Sequence, residues 1–224
     1  MSKQIKPHLC VDADLDKLSL PVLSLEKIDG CRFLHLIGSA TGRSLKPFAN
    51  LFVTDKFSDS KYAWLDGEMT FGEITSPSLC RDTTSVLNRI QGEPEVVWNV
   101  FDYLHPDLLN ESYEKRYEHL KQYVKEHLVD DLSIRVVPIK KLESKEEVVA
   151  EYENLLTKGF EGQILRDPKG KTKFGRATVN EGSYMRLKPS SDKEALVISL
   201  VEAMENLNEA KVNELGHTER SSHK

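Results

Sequence analysis

Short apolar runs broken by charged turns dominate the chain. Leu20, Val22, Leu23 and Leu25 lead into Glu26-Lys27-Ile28-Asp29-Gly30-Cys31-Arg32, and Phe33, Leu34, Leu36 and Ile37 follow. Two apolar runs split by Asp-Gly predict strands over 21–26 and 31–38 joined by a tight turn, with Gly30 supplying a positive φ. Lys27 then stands at the start of that turn, facing whatever cleft the sheet forms. Taken alone, Lys-x-Asp-Gly also fits an exposed hairpin with an incidental lysine. The same pattern predicts strands over 61–65 and 68–71 around an Asp66-Gly67 turn, and a buried strand over 96–103 from its β-branched and aromatic residues. Further strands are expected at 134–139, 162–165 and 184–187.

Helical periodicity is confined to three places. Residues 83–90 predict a short helix. Residues 111–129 predict an amphipathic one, with Tyr113, Tyr117, Leu120, Val124 and Leu128 on a face that reads as core packing rather than a cofactor site. Ser144 and Glu147 form a capping box that opens a helix over 145–157, which Gly159 ends. Residues 39–47 read as a polar turn carrying Arg43. Asp12, Asp14 and Asp16 alternate near the start but lack the glycine and distal glutamate of a calcium loop, so they are expected to face water while Leu15, Leu18 and Leu20 pack inward. Strands dominate and helices intervene irregularly. The expected fold class is therefore α+β, with antiparallel sheets flanked by helices, rather than a regular βαβ repeat. Pro189-Ser190-Ser191 marks a boundary between domains 1–190 and 191–224.

Composition adds exclusions. A chain of 224 residues with 39% hydrophobic and 30% charged positions has room for a full core. No apolar run reaches the length of a membrane span and residues 1–17 hold no signal-peptide core, so a cytoplasmic protein without a membrane is expected. Cys10, Cys31 and Cys80 show neither metal spacing nor a C-x-x-C pair, which suits reduced thiols. A net charge of −5 confines any nucleic-acid surface to a local patch. The one basic excess runs from Arg166 to Lys188 through Lys169, Lys171, Lys173, Arg176 and Arg186, against Asp167 and Glu181 only. It reads as a phosphate-facing surface or, on charge alone, as a solvated loop.

Charged groups recur at the predicted strand ends: Lys27, Asp29 and Arg32, then Arg43, then Asp66 and Glu68, then Glu161, then Arg186 and Lys188. Gathered in one cleft, the cations would clamp a polyphosphate, the carboxylates would hold a divalent ion, and Phe101 would stack on a base. The chain has no Walker A and no G-x-G-x-x-G, so a glycine loop does not cradle the phosphates.

In this order the residues resemble the nucleotidyltransferase core of ATP-dependent DNA ligases of the bacteriophage type. That family belongs to the covalent lysyl-nucleotidyltransferase superfamily, with RNA ligases and capping enzymes. Lys27-Ile28-Asp29-Gly30 with Arg32 matches motif I, and Arg43 the arginine of motif Ia. Leu65-Asp66-Gly67-Glu68 matches motif III, and Val100-Phe101-Asp102 motif IIIa. Residues 161–166 match motif IV, and Arg186-Leu187-Lys188 motif V. Connecting segments such as 173–178 and 206–210 resemble the phage ligases too.

The resemblance implies an ATP-grasp-like core in which Lys27 attacks the α-phosphate of ATP and carries a covalent AMP. A free lysine is mostly protonated at neutral pH. Arg186, Lys188, Arg32, a metal ion and partial desolvation are the expected activators. By the same resemblance Lys188 and Arg186 bind the α-phosphate, Phe101 and Ile164 sandwich the adenine, and Glu68 lies on the ribose side. Arg43 lies near ribose and phosphate, Glu26 lines the purine pocket, and Glu161 holds Mg²⁺ or Mn²⁺. The implied partner is nicked double-stranded DNA, gripped in part by Lys171, Lys173 and Arg176, with the protein acting as a monomer. Alternatives are an RNA ligase or capping-type nucleotidyltransferase, or a non-catalytic nucleotide- or nucleic-acid-binding module. Two departures stand out. Motif V begins with Arg186 where the family has lysine, and residues 191–224 resemble only the start of an OB-fold, so an incomplete OB-fold from a truncated chain is expected.

Overall fold

Between Lys27 and Cys31 the chain leaves one five-stranded sheet and enters another. The structure is a computed structural model. It describes residues 6–36, 38–190, 196, 198–202, 207–212 and 218–220, in two compact units, 1–189 and 190–224. The first unit begins with β1 (His8–Leu9), β2 (Val11–Asp12), β3 (Val22–Lys27), β4 (Cys31–His35) and β5 (Ala40–Gly42). It continues with α1 (Leu51–Phe57), β6 (Leu65–Phe71), α2 (Leu79–Leu87), β7 (Val96–Tyr103) and α3 (Tyr113–His127). It closes with β8 (Ile134–Val136), β9 (Ile139–Leu142), α4 (Lys145–Thr157), β10 (Gly162–Arg166), β11 (Gly175–Arg176) and β12 (Tyr184–Leu187). One sheet runs β2-β12-β10-β3-β9 and the other β5-β4-β6-β7-β8. Most pairs are antiparallel; β2–β12, β7–β8 and the small β1–β11 ribbon are parallel. This is the expected α+β class.

The hairpin expected around Lys27 does not form, because β3 and β4 belong to different sheets. Both runs are apolar because both line the same core, where Leu23 and Leu25 of one sheet share a cluster with Phe33 of the other. Gly30 is required for a different reason from the one the turn suggested. Its φ is not positive; a Cβ there would lie 2.3 Å from the Met69 carbonyl oxygen. The expected strand over 134–139 also splits between sheets, since Pro138 has no N–H to continue a ladder. Nor is Asp66-Gly67 a turn. Leu65–Phe71 is one strand whose register against β7 shifts between Asp66 and Gly67, a bulge in which a Cβ on Gly67 would meet the Asn99 carbonyl oxygen at 2.3 Å.

An aromatic cluster fills the space under β4, β6 and β7. The Phe33 ring packs edge-on against Trp98 at 4.9 Å and Phe57 at 5.6 Å, and the Trp98 indole N–H donates to the Phe33 carbonyl. Phe57 comes from α1, a helix not anticipated after the polar turn at 39–47; Asn50 caps it, its Oδ1 accepting from the Val53 N–H at 2.8 Å. The helix expected at 83–90 runs over Leu79–Leu87 instead, and Thr83 in it accepts from the Phe71 N–H. The α4 bounds are as expected. Ser144 accepts from the Glu147 N–H, but the Glu147 carboxylate accepts from Glu143 rather than closing the box on Ser144. Leu15 and Leu18 pack against a smaller cluster with Val22 and Val148, whereas Leu20 is exposed.

In the second unit β13 (Ala210–Val212) pairs antiparallel with β14 (Thr218–Arg220). Most of the segment expected to begin an OB-fold lies outside the described residues. Among the described residues no helix is long and apolar enough to cross a membrane.

Candidate active site

Four strands of the first sheet place Asp12, Arg186, Ile164 and Leu25 side by side in one row. Two residues further along β3, on the same face, Lys27 ends the strand opposite Gly162. A Cβ on Gly162 would lie 2.1 Å from the Leu187 carbonyl oxygen, so only glycine lets β10 and β12 close up here. The Glu161 N–H donates to the Lys27 carbonyl, and the Lys27 Nζ donates to the Glu161 carboxylate in a half-buried ion pair.

Arg32, Glu68 and Phe101 from the second sheet face this row across a cavity of about 180 Å³. Glu26, Lys27, Ile164 and Arg186 line it on the near side, and exposed Arg43 stands at its edge. Burial pushes the Glu68 carboxyl up to about 7, although Arg32 and Lys27 pull the other way. The Arg32 guanidinium grips Asp66 with two hydrogen bonds of 2.6 and 2.7 Å and also donates to the His8 carbonyl and the Tyr184 hydroxyl. It lies 4.8 Å from the centre of the Phe101 ring, so it braces that ring from within the protein. Arg186 donates from Nε to Asp12 at 2.7 Å, which holds the Asp12 carboxyl below the usual range. Asp12 is thus paired with a cavity residue, not simply turned to water as expected.

Apolar walls that fit a flat ring, cations at the edge and a lysine on a carboxylate suit nucleotidyl transfer. A family model, the "ATP dependent DNA ligase domain", matches residues 26–178, more than half of the chain. The chain belongs to that family. A crystal structure of Chlorella virus DNA ligase-adenylate is similar at 28% identity, with a TM-score of 0.70 over 82% of this chain and 68% of that one. A second crystal structure of that ligase-adenylate gives 27% identity and a TM-score of 0.72 over 82% and 67% of the two chains. The ATP-dependent DNA ligase of bacteriophage T7 in complex with ATP shares the fold at 14% identity, with a TM-score of 0.62 over 96% and 80%. No curated protein matches the sequence. The family match decides for the DNA ligase reading over the RNA ligase and capping alternatives.

The floor of the ligase domain's cavity was not legible as such in the sequence. Tyr113, Arg166 and Tyr184 line it, so the first residue of the α3 stripe is part of the site and not of the core alone. Arg166 is stacked between the Tyr113 and Tyr184 rings at 4.0 and 4.1 Å and donates to buried Asp102. Arg135, which no motif marked, donates to Glu26 at 2.5 Å and to the Asn99 side chain, tying β8 to β3 beside the cavity. The ligase fold does not gather every expected residue. Lys188 is exposed beyond the end of β12 and does not line the cavity, though its charge reaches Asp29. The basic segment is divided. Lys171 and Lys173 border a separate groove with Lys6 and Phe174, where the Lys173 ammonium is paired with Glu181. Arg176 lines the main cavity and donates to the Cys10 carbonyl at 2.6 Å.

Partial burial and the neighbouring Glu161 push the Asp29 carboxyl up, because two carboxylates crowd together beside Lys27. Among the described residues no cluster of three or more metal-ligating side chains exists. One or two carboxylates completed by substrate phosphates and water are the ordinary donor set for Mg²⁺, so Glu161 with Asp29 fits such an ion.

Proposed function

We propose that this ligase domain attaches AMP to Lys27, passes it to the 5′-phosphate at a nick in duplex DNA, and seals the nick. In the first step the Lys27 amine, free of its extra proton, bonds to the α-phosphorus of ATP as the bond to the β-phosphate oxygen breaks and pyrophosphate leaves. In the second, a 5′-phosphate oxygen displaces the lysine nitrogen. In the third, the 3′-hydroxyl loses its proton and attacks the phosphorus of the nick's own 5′-phosphate, and AMP departs.

Adenine stacks between Phe101 and Ile164. Arg186 and Lys188 take the charge that builds on the α-phosphate, Arg43 approaches the ribose and phosphates, Glu68 the ribose, and Glu26 the purine. Glu161, with Asp29 beside it, holds Mg²⁺ or Mn²⁺, which when bound offsets phosphate charge. Lys171, Lys173 and Arg176 meet the DNA backbone. The protein acts as a cytoplasmic monomer. The observation that carries the reading is the Lys27–Glu161 pair at a cavity walled by Phe101 and Ile164. Intact mass after incubation with ATP and Mg²⁺ tests it. An added AMP that Lys27→Ala abolishes is the expected result; an adduct persisting in that variant refutes the assignment.

A further inference from the structure

Arg186 departs from the lysine expected at its position, and the structure supplies it with a partner. Asp12 and Arg186 are register neighbours on the parallel strands β2 and β12, and the Arg186 Nε donates to Asp12 Oδ1 at 2.7 Å. The Asp12 side chain is 73% exposed and belongs to none of the ligase motifs, while that of Arg186 is 28% exposed and lines the cavity. Among the described residues, the two terminal nitrogens of Arg186 make no hydrogen bond.

Chemistry makes this pairing consequential. An ammonium is a point charge that serves a phosphate from any approach, so a lysine needs no orientation about its own axis. A guanidinium is a planar fork, and it serves a phosphate best when both terminal nitrogens face the oxygens. Holding the Nε edge from outside the cavity settles that plane. The Asp12 charge itself stands in water, where screening weakens its repulsion of a phosphate.

We propose that Asp12 is a positioning residue for AMP attachment, holding the Nε edge of Arg186 so that its terminal nitrogens face the α-phosphate. The inference rests on the reading of Lys27 as the adenylylated residue. The test is single-turnover AMP attachment by the full chain across ATP concentrations, for wild type, Asp12→Ala, Asp12→Asn, Arg186→Lys and Asp12→Ala/Arg186→Lys, with thermal midpoints alongside.

Losing one ordered hydrogen bond should slow Asp12→Ala at saturating ATP by about three- to tenfold, with little change in the ATP concentration for half-maximal rate and in the thermal midpoint. Asp12→Asn, which keeps an oxygen acceptor for Nε, should recover most of the rate. In the Arg186→Lys background, Asp12→Ala should have no further effect, because lysine has no edge to hold. Faster attachment by Asp12→Ala would overturn the proposal by showing that Asp12 restrains Arg186. Equal slowing in the lysine background would overturn it by showing a general structural role. Normal attachment by wild type with an unchanged Asp12→Ala refutes the role of Asp12 alone. A wild-type chain that takes up no AMP refutes the Lys27 reading and this inference with it.

Discussion

Replacing Asp102 by alanine should unfold this domain far more readily than its position behind the cavity suggests. Asp102 is buried and accepts from Arg116 Nε at 2.8 Å, from Arg116 Nη2 at 3.0 Å and from Arg166 Nη2 at 2.7 Å. Both arginines are buried too, and Arg116 Nη1 reaches on to the Glu111 and Gly170 carbonyls. Burial alone would push the Asp102 carboxyl up; the two guanidiniums outweigh it and hold it at about 2, below the ordinary 3.8. A carboxyl depressed in the folded state stabilises it above the unfolded pKa, and that contribution fades as pH falls from about 4 through 2. At neutral pH it amounts to roughly 2–3 kcal/mol. Deletion costs more than this, because two cations stay buried without a counter-charge, and removing one partner of a buried pair costs about 3–5 kcal/mol. For a domain of this size the thermal midpoint should fall by roughly 6–20 °C. Urea unfolding followed by the fluorescence of buried Trp98 measures it, with Asp102→Asn expected between wild type and alanine. Adding Arg116→Met to Asp102→Ala should restore part of the loss, because it removes one orphaned cation. A loss below about 1 kcal/mol, or a double variant that is simply additive, would refute the account.

Three further outcomes are expected. Gly162→Ala forces a Cβ to 2.1 Å from the Leu187 carbonyl oxygen, a backbone atom that cannot yield without breaking the β10–β12 ladder, so a loss of about 3 kcal/mol or more is expected in thermal unfolding, with AMP attachment reduced alongside. His8 is buried with neither ring nitrogen hydrogen-bonded among the described residues, and burial together with Arg166 holds its pKa at about 3 against the counter-pull of Asp102. The unfolded chain takes up this proton near pH 6.5 and the folded one does not, so stability should fall as pH drops from 6.5 towards 3; His8→Phe should flatten that limb of the profile, and an unchanged limb would contradict it. Reversing charge at Lys171, Lys173 and Arg176 should weaken binding to nicked duplex and lower the slope of log affinity against log salt by roughly 0.9 for each phosphate contact removed. The Lys173 share should be the smallest because Glu181 already pairs with it, and a slope that does not change would show that the segment only faces water.

Local chemistry settled much of this protein before any tertiary contact was known. The α4 bounds, the β7 and β12 strands and the α3 helix follow from periodicities of 3.6 and 2 and from a Ser cap, which act within a few residues. The charged residues at strand ends were legible because each interrupts an apolar run. What periodicity cannot state is which strand lies beside which. A run buried on one face reads the same whether its neighbour in sequence is its partner in a ladder or stands across the core, so β3 and β4 were read as a hairpin and β8 and β9 as one strand. The same limit hid the reason for the glycines. Gly30, Gly67 and Gly162 are each required by a carbonyl oxygen of a neighbouring strand distant in sequence, at 2.1–2.3 Å from an added Cβ. Arg135 on Glu26, Asp12 on Arg186 and the stacked Arg166 under the cavity came only with the fold. The first two join residues more than 100 positions apart and the third reaches back more than 50 positions to Tyr113, and an isolated charge carries no mark of its distant partner until burial and register bring the two together.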